Sequence, residues 1–285
     1  MIPAAFAYER AASVQDALRQ LAGTEDAKLL AGGHSLLPLM KMRLANPAKL
    51  VDLSGLAELH GIQRDGDTLT IGALTTHARL ASDRLIRETL PALAEAAGQI
   101  GDLQVRNRGT LGGNLAHADP ASDLSAIALL YDAMLHVTTL SGEDTIAASD
   151  YFLGPLLTAL PENGLITQVS FTIPPSGTVS VYEKYPHPAS GYAVVGVAAL
   201  GAVDDSGAVS SVRVAVTGAA DVVYRATSVE AALLGQRPTE DAIRAAASHA
   251  ADEGDISGDL FASEEYRRHL CQVYVARALR RVFHK

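Results

Sequence analysis

Cysteine and tryptophan are nearly missing from this chain: 285 residues carry one cysteine and no tryptophan. A single thiol makes no internal disulfide and cannot hold an iron–sulfur cluster, which needs about four thiolates. The lone Cys271, near Leu270 and Val273 in a strongly helical stretch, reads as core packing. With nine tyrosines and five phenylalanines as its only large aromatics, the chain offers no interleaved platform for stacked bases. Positive charge is also scarce. Against 32 Asp and Glu stand 23 Lys and Arg, a net charge of -9, with no basic stripe. Nucleic acid is therefore excluded as a partner, since phosphate binding needs clustered Lys and Arg. No run approaches the roughly 20 apolar residues of a membrane span. Met1 to Arg10 lacks the basic start and apolar run of a secretory signal. A cytoplasmic chain without a membrane span is expected.

Familiar catalytic signatures are missing as well. There is no Gly-x-x-x-x-Gly-Lys-Ser/Thr for phosphoryl transfer and no Gly-x-Gly-x-x-Gly opening a helix. Ser35 lies in Gly33-His34-Ser35-Leu36-Leu37, which is not a nucleophile elbow. Nine histidines are scattered without His-Glu-x-x-His, and the nearest metal pattern is only His117-x-Asp119. No catalytic residue and no metal ligand is expected in this chain.

What remains is a compact α+β pattern. A hydrophobic fraction of 48% with 19% charged residues supplies a core without staples. Ser13 is placed to cap a helix carrying Val14, Ala17, Leu18 and Leu21, and Gly23 stops it. Strands are expected at Lys28–Ala31, Lys49–Leu53, Leu135–Leu140 and Leu165–Ile173, with a hairpin at Asp65-Gly66. Thr75 to Gln99 reads as helix interrupted at Pro91, and Leu124 to Tyr131 as another helix. Gly101 to Asp123 shows neither period and is expected to be an ordered loop. Pro174-Pro175-Ser176-Gly177 is the clearest linker. Beyond it Val194–Val203 and Val209–Thr217 form a hairpin over Asp204–Gly207. Helical patterns follow at Ser228–Leu234, Thr239–Ala251 and Ser263–Phe283. The long last helix offers Leu270, Val273 and Tyr274 either to a partner or to the core. The boundaries expected are a first domain over 1–176, split near 55–60, and a second over 177–285.

Two glycine-rich loops carry the chemistry. The first, Leu29-Leu30-Ala31-Gly32-Gly33-His34-Ser35-Leu36, leads from a strand into a helix start near Pro38. Glycine allows positive φ and close approach, so successive N–H groups can converge on a phosphate. A tight strand–turn–helix connection without a ligand would read the same. The second loop holds Arg106-Asn107-Arg108-Gly109-Thr110-Leu111-Gly112-Gly113-Asn114, then Asp119 and Asp123. Gly112-Gly113 suits a second anion nest, Thr110 and Asn114 could orient a diphosphate, and Asp119 or Asp123 could accept from ribose hydroxyls. A purely structural loop is the alternative, although long ordered loops are usually functional.

These two loops, in this order, resemble the paired FAD motifs of the flavoprotein subunit of molybdenum hydroxylases, the carbon-monoxide dehydrogenase medium-subunit type. Ile71-Gly72-Ala73-Leu74-Thr75-Thr76-His77 resembles the family segment between them, with Thr76 a candidate contact. The likeness runs nearly end to end. It implies a two-lobed FAD-binding domain of the vanillyl-alcohol-oxidase type, then a C-terminal domain of antiparallel sheet and helices. It also implies noncovalent FAD held by Leu29–Leu36 and Thr110–Asn114. Ile100, Asp123 and Leu165 match positions at the ligand, Lys184 a lysine near the flavin's carbonyl edge, and Tyr192 an aromatic cover for the ring. The family's basic residue between that lysine and tyrosine has no counterpart in Pro186–Gly191, where His187 is the nearest substitute.

The activity implied is electron transfer. A large molybdopterin subunit would hydroxylate the substrate and a small subunit would pass electrons through [2Fe–2S] clusters. This chain's FAD would then deliver them to an external acceptor, within a dimer of heterotrimers. The alternatives are a stand-alone flavin oxidase or reductase of the same fold, and a nonenzymatic assembly subunit with degenerate loops.

Overall fold

The computed structural model describes residues 2–284. The chain begins with β1 (Ala7–Arg10), α1 (Val14–Ala22), β2 (Ala27–Leu30), α2 (Leu36–Lys41) and β3 (Lys49–Asp52). The strands pair in parallel in the order β1-β3-β2. Parallel neighbours need crossovers, and α1 and α2 supply them. Ser13 caps α1 by accepting from the Asp16 N–H, and Ala17 and Leu18 pack on Val51 and Leu53. At the carboxyl end of β2 the chain turns through Gly32-Gly33 into α2. Ligands of α/β units collect at such strand ends.

The middle of the chain contains β4 (Ile62–Asp65) and β5 (Thr68–Gly72), joined as expected at Asp65-Gly66, with φ of 54° at Gly66. Helices α3 (His77–Ser82), α4 (Arg84–Thr89) and α5 (Pro91–Gly98) replace the single interrupted helix. The extra break comes from Asp83, whose carboxylate accepts from the N–H groups of Leu85 and Ile86 and starts α4. Then come α6 (Leu103–Arg106), α7 (Leu111–His117) and α8 (Asp123–Leu130). They are followed by β6 (Met134–Thr139), β7 (Gly142–Ala147), α9 (Ala148–Tyr151), β8 (Phe152–Gly154), β9 (Leu157–Thr158) and β10 (Leu165–Thr172). The sheet order β4-β5-β10-β6-β7 is antiparallel throughout. The expectation of a loop over Gly101–Asp123 is corrected by α6 and α7. Two adjacent glycines hid the helical pattern, and what holds them helical is Thr110, whose hydroxyl accepts from the Gly113 N–H.

The last third forms β11 (Val179–Pro186), β12 (Ala193–Val203), β13 (Val209–Thr217) and β14 (Tyr224–Arg225) in one antiparallel sheet in that order. It ends with α10 (Thr227–Leu233), α11 (Glu240–Ala247) and α12 (Glu264–Phe283). Val195, Val197 and Ala199 of β12 join the core beneath these helices. Ala198 and Leu200 join the core of α5 and α8. Cover on both faces explains why β12 reads as an unbroken apolar run. Leu270 and Tyr274 are buried and Val273 packs beside them, so these residues serve the core and not a partner. Cys271 is fully buried, and burial pushes its thiol up to about 11. The sheet is clamped to the rest of the chain by Arg281, which pairs with Glu95 at 2.7 Å and Glu183 at 2.8 Å. The Thr217 hydroxyl donates to the carbonyls of Pro120 and Ser122 as well. No described helix is long and apolar enough to cross a membrane.

Candidate functional site

A cavity of about 630 Å³ lies between the end of β2, the face of α7 and the turn before β12. Of the residues assigned to the cofactor from the sequence, all border it except Thr76, Leu111 and Lys184, and the substitute candidate His187 does not border it either. Each exception has a local reason. Thr76 caps α3 by accepting from the Arg79 N–H, and Leu111 is wholly buried in the core. Lys184 is withdrawn behind Asp123.

The first loop leaves its backbone open to the cavity. Gly33 has φ of 74°, a conformation that favours glycine. A Cβ on Gly32 would stand 2.1 Å from the Arg108 carbonyl oxygen, so only glycine lets the two loops touch. Among the described residues no hydrogen bond uses the N–H of Gly32, Gly33, His34 or Ser35. Four unused donors at the wall of a cavity are the kind of group that suits an anion. The His34 ring stays local, with Nδ1 2.9 Å from the Gly32 carbonyl oxygen.

The second loop is different, and the expectation of a second nest is corrected. Neither Gly112 nor Gly113 has positive φ, and their N–H groups are already bonded. Leu111 donates to the Thr75 carbonyl, Gly112 to that of Ala73 and Gly113 to the Thr110 hydroxyl. Gly112 is needed for contact: a Cβ there would lie 2.5 Å from that of Ala73. Asn114 Oδ1 accepts from the Ser122 hydroxyl at 2.6 Å, and Asp119 accepts from the Ala121 N–H. This loop shapes the cavity wall and offers a few side chains, and the unused backbone donors lie on the first loop.

Behind the wall lies a buried trio. Lys184 Nζ is 2.9 Å from Asp123 Oδ2 and donates to the Gln99 carbonyl, while the Tyr182 hydroxyl donates to Asp123 Oδ1. Gly196 makes room, since a Cβ there would strike the Tyr182 oxygen. Burial pushes the Asp123 carboxyl up, opposed by the Lys184 ammonium and the Tyr182 hydroxyl. Burial and then Asp123 push the Tyr182 phenol well up. Tyr192 is 47% exposed at the rim, and burial, with Asp119 and Asp123 nearby, raises its phenol. His187 does not border this cavity. Its Nδ1 accepts from the N–H groups of Ala189 and Ser190, and its ring lies 4.3 Å from that of Phe261.

Many wall residues were not assigned from the sequence, Leu156 and His77 among them. Leu156, in the β8–β9 turn with φ of 58°, reaches the cavity because its N–H is tied to the Ala118 carbonyl. Nothing in the chain's pattern marked it. His77 stands in the segment already compared with the family, and its place beside Thr76 was the available signal. It is 3% exposed, and burial with His34 nearby lowers its pKa to about 4.

A family model described as the FAD binding domain in molybdopterin dehydrogenase matches residues 4–175. The chain belongs to that family. A second, described as the CO dehydrogenase flavoprotein C-terminal domain, matches residues 180–282. The carbon monoxide dehydrogenase medium chain of Hydrogenophaga pseudoflava is 38% identical over 98% of this chain and 97% of its own length. The 6-hydroxypseudooxynicotine dehydrogenase complex subunit alpha of Paenarthrobacter nicotinovorans is 36% identical over 100% and 97%. A solved carbon monoxide dehydrogenase from Hydrogenophaga pseudoflava superposes with a TM-score of 0.95 and 40% identity, covering 99% of this chain and 98% of the other. This member of the molybdopterin dehydrogenase family is thus an FAD-binding oxidoreductase chain. Its residues fit the cofactor: the nest suits a phosphate, and the glycine contacts leave the cavity open beside it.

Proposed function

We propose that this chain is the FAD-carrying electron-transfer subunit of a molybdenum hydroxylase. It would take electrons from [2Fe–2S] clusters in a small partner and pass them to an external acceptor. A large molybdopterin partner would perform the hydroxylation, and the assembly would be a dimer of heterotrimers. The observation that carries this reading is one cavity bordered by both glycine loops, with unused N–H donors on the first. Bound FAD would supply the conversion between one- and two-electron transfer.

The chain's own residues have definable tasks. Gly32 to Ser35 would hold the diphosphate through backbone N–H groups, with Leu29–Ala31 and Leu36 as the flanking wall. Thr110, Gly112, Gly113 and Asn114 would shape the opposite side, and Asp119 would face the ribose. Ile100 and Leu165 would bound the ring apolarly, and Tyr192 at the rim would shield it from water. Asp123 would meet the polar edge of the ring, held in place by Lys184 and Tyr182. Thr76 and Leu111 would act by seating α3 and α7 and not by contact. We also place the domain boundary between 176 and 177, in the Pro174–Gly177 linker, with the first domain's lobes dividing near 55–60.

Two measurements test this reading. Acid extraction should release intact FAD and leave no yellow colour on the polypeptide. Recovery of FMN alone, or of covalently held flavin, would refute it. The tagged chain, purified from its own host, should bring down one iron–sulfur and one molybdenum partner. Flavin turnover without such partners would favour a self-sufficient oxidase instead.

A further inference from the structure

The cofactor cavity has a neighbour. A second cavity, of about 420 Å³, lies among the α7–α8 connection, the β8–β9, β11–β12 and β13–β14 turns, and the loop leading into α12. It shares Asp119, Ala121, Ser190 and Tyr192 with the first cavity, so one layer of residues separates the two. Arg267 of α12 borders it and ties its walls together. The guanidinium donates to the Val194 carbonyl at 3.2 Å, to the Gly218 carbonyl and to the Asp259 carboxylate. The Gly218 N–H in turn donates to the Pro120 carbonyl. Val194, Gly218, Asp259 and Pro120 come from separate segments, and one network holds them around the same space.

The charge of this wall is one-sided. Its only Lys or Arg is Arg267, which is spent on Asp259. His187 uses Nδ1 to accept from the N–H groups of Ala189 and Ser190, and the Tyr192 phenol is raised, so neither adds a charge. The remaining carboxylates, Asp119 and Asp221, face no cation of the wall. Asp119 accepts from the Ala121 N–H. Most of the other lining residues are proline, alanine, valine and glycine.

We propose that this second cavity receives the external electron acceptor, and that the acceptor is an uncharged ring compound of the quinone class. This rests on the FAD site proposed above. A flavin in the first cavity and an acceptor in the second are held apart by the shared residues, Tyr192 among them. Electrons cross a gap of one side chain, whereas hydride transfer needs the reacting atoms about 3–3.5 Å apart. A nicotinamide dinucleotide is disfavoured twice: it takes hydride, and its phosphates meet carboxylates that no cation offsets. A quinone needs neither direct contact nor a phosphate site. It gains two electrons from the reduced cofactor and two protons, from that cofactor and from solvent, and leaves as the quinol.

The test is equilibrium dialysis of the full FAD-loaded chain, alone or with the subunits that co-purify, kept oxidised so that nothing turns over. Duroquinone should bind, and NAD⁺ should bind far more weakly. Ser257 is exposed and borders only the second cavity. Ser257→Trp should fill the space and weaken duroquinone by about tenfold or more, with flavin content at the wild-type level. Asp221→Lys should strengthen NAD⁺ binding, most of all at low salt, and leave duroquinone nearly unchanged. Should Ser257→Trp fail to fold, Pro155→Trp, at another exposed position of the same wall, puts the same question. No duroquinone binding, or binding that a folded tryptophan variant leaves intact, overturns the proposal. So does NAD⁺ held by the wild type as tightly as duroquinone. A chain that carries no FAD, with or without partners, refutes the FAD reading beneath it. An FAD-loaded chain that binds no duroquinone refutes only the acceptor cavity.

Discussion

At the scale of single residues, the site depends on charges that are buried and paired. Lys184 and Asp123 are both almost inaccessible, so removing one leaves the other without a partner in a dry place. Lys184→Met should cost about 3–5 kcal/mol of stability, measured by denaturant unfolding of the FAD-free chain. The sign with pH follows from Asp123. Its carboxyl is already raised by burial and rises further without the ammonium, so stability is kept at low pH and lost as pH climbs through the folded pKa. The variant's deficit should be largest above neutrality and should shrink on acidification; a deficit independent of pH would argue against the pairing. His77 gives the opposite slope. Its pKa is lowered from 6.5 to about 4, so the unfolded chain binds the proton first as pH falls. The FAD-free protein should lose about 3 kcal/mol between those values, and His77→Gln should flatten that part of the curve. Lys184 also shows why resemblance reads a site incompletely. Its family position points to the flavin, but whether an ammonium meets the ligand or a carboxylate in between is a matter of packing.

At the scale of elements, periodicity and turn chemistry made most of the chain legible. Ser13, the Asp65-Gly66 hairpin, the Asp204–Gly207 hairpin and the long last helix occur where local signals put them. The pieces that escaped are those whose stability comes from neighbours. β1 is four exposed residues that exist as a strand only because Lys49–Asp52 lies alongside. α7 has glycines where a helix prefers alanine, and is held by Thr110 and by its contact with Ala73–Thr75. That contact makes a prediction at this scale. Gly112→Val would drive a branched side chain into Ala73, where even a single Cβ would lie at 2.5 Å. Overpacking of this kind costs about 1–3 kcal/mol, and α7 should lift off its seat. Flavin content after purification should drop to near zero, while hydrogen exchange in β11 to β13 stays protected. Normal flavin content would mean that α7 does not shape the site.

At the scale of the whole molecule, the division of labour can be tested directly: this chain by itself should hydroxylate nothing. One cysteine cannot ligate an iron–sulfur cluster. Among the described residues no group of three or more His, Cys, Asp or Glu side chains is placed to hold a metal ion. The cavity is bordered by both glycine-rich loops, and of its ionisable side chains Asp123 is paired with Lys184 and His77 is buried. The expected outcome is therefore that the purified, FAD-loaded chain shows no hydroxylation of any compound its complex oxidises. Adding the iron–sulfur and molybdenum partners should restore acceptor reduction in proportion to complex formed. Hydroxylation by the chain with no iron or molybdenum in the sample would overturn the electron-transfer assignment. It would also require a substrate-binding role for groups here assigned to holding FAD, beginning with Tyr192 and Asp123.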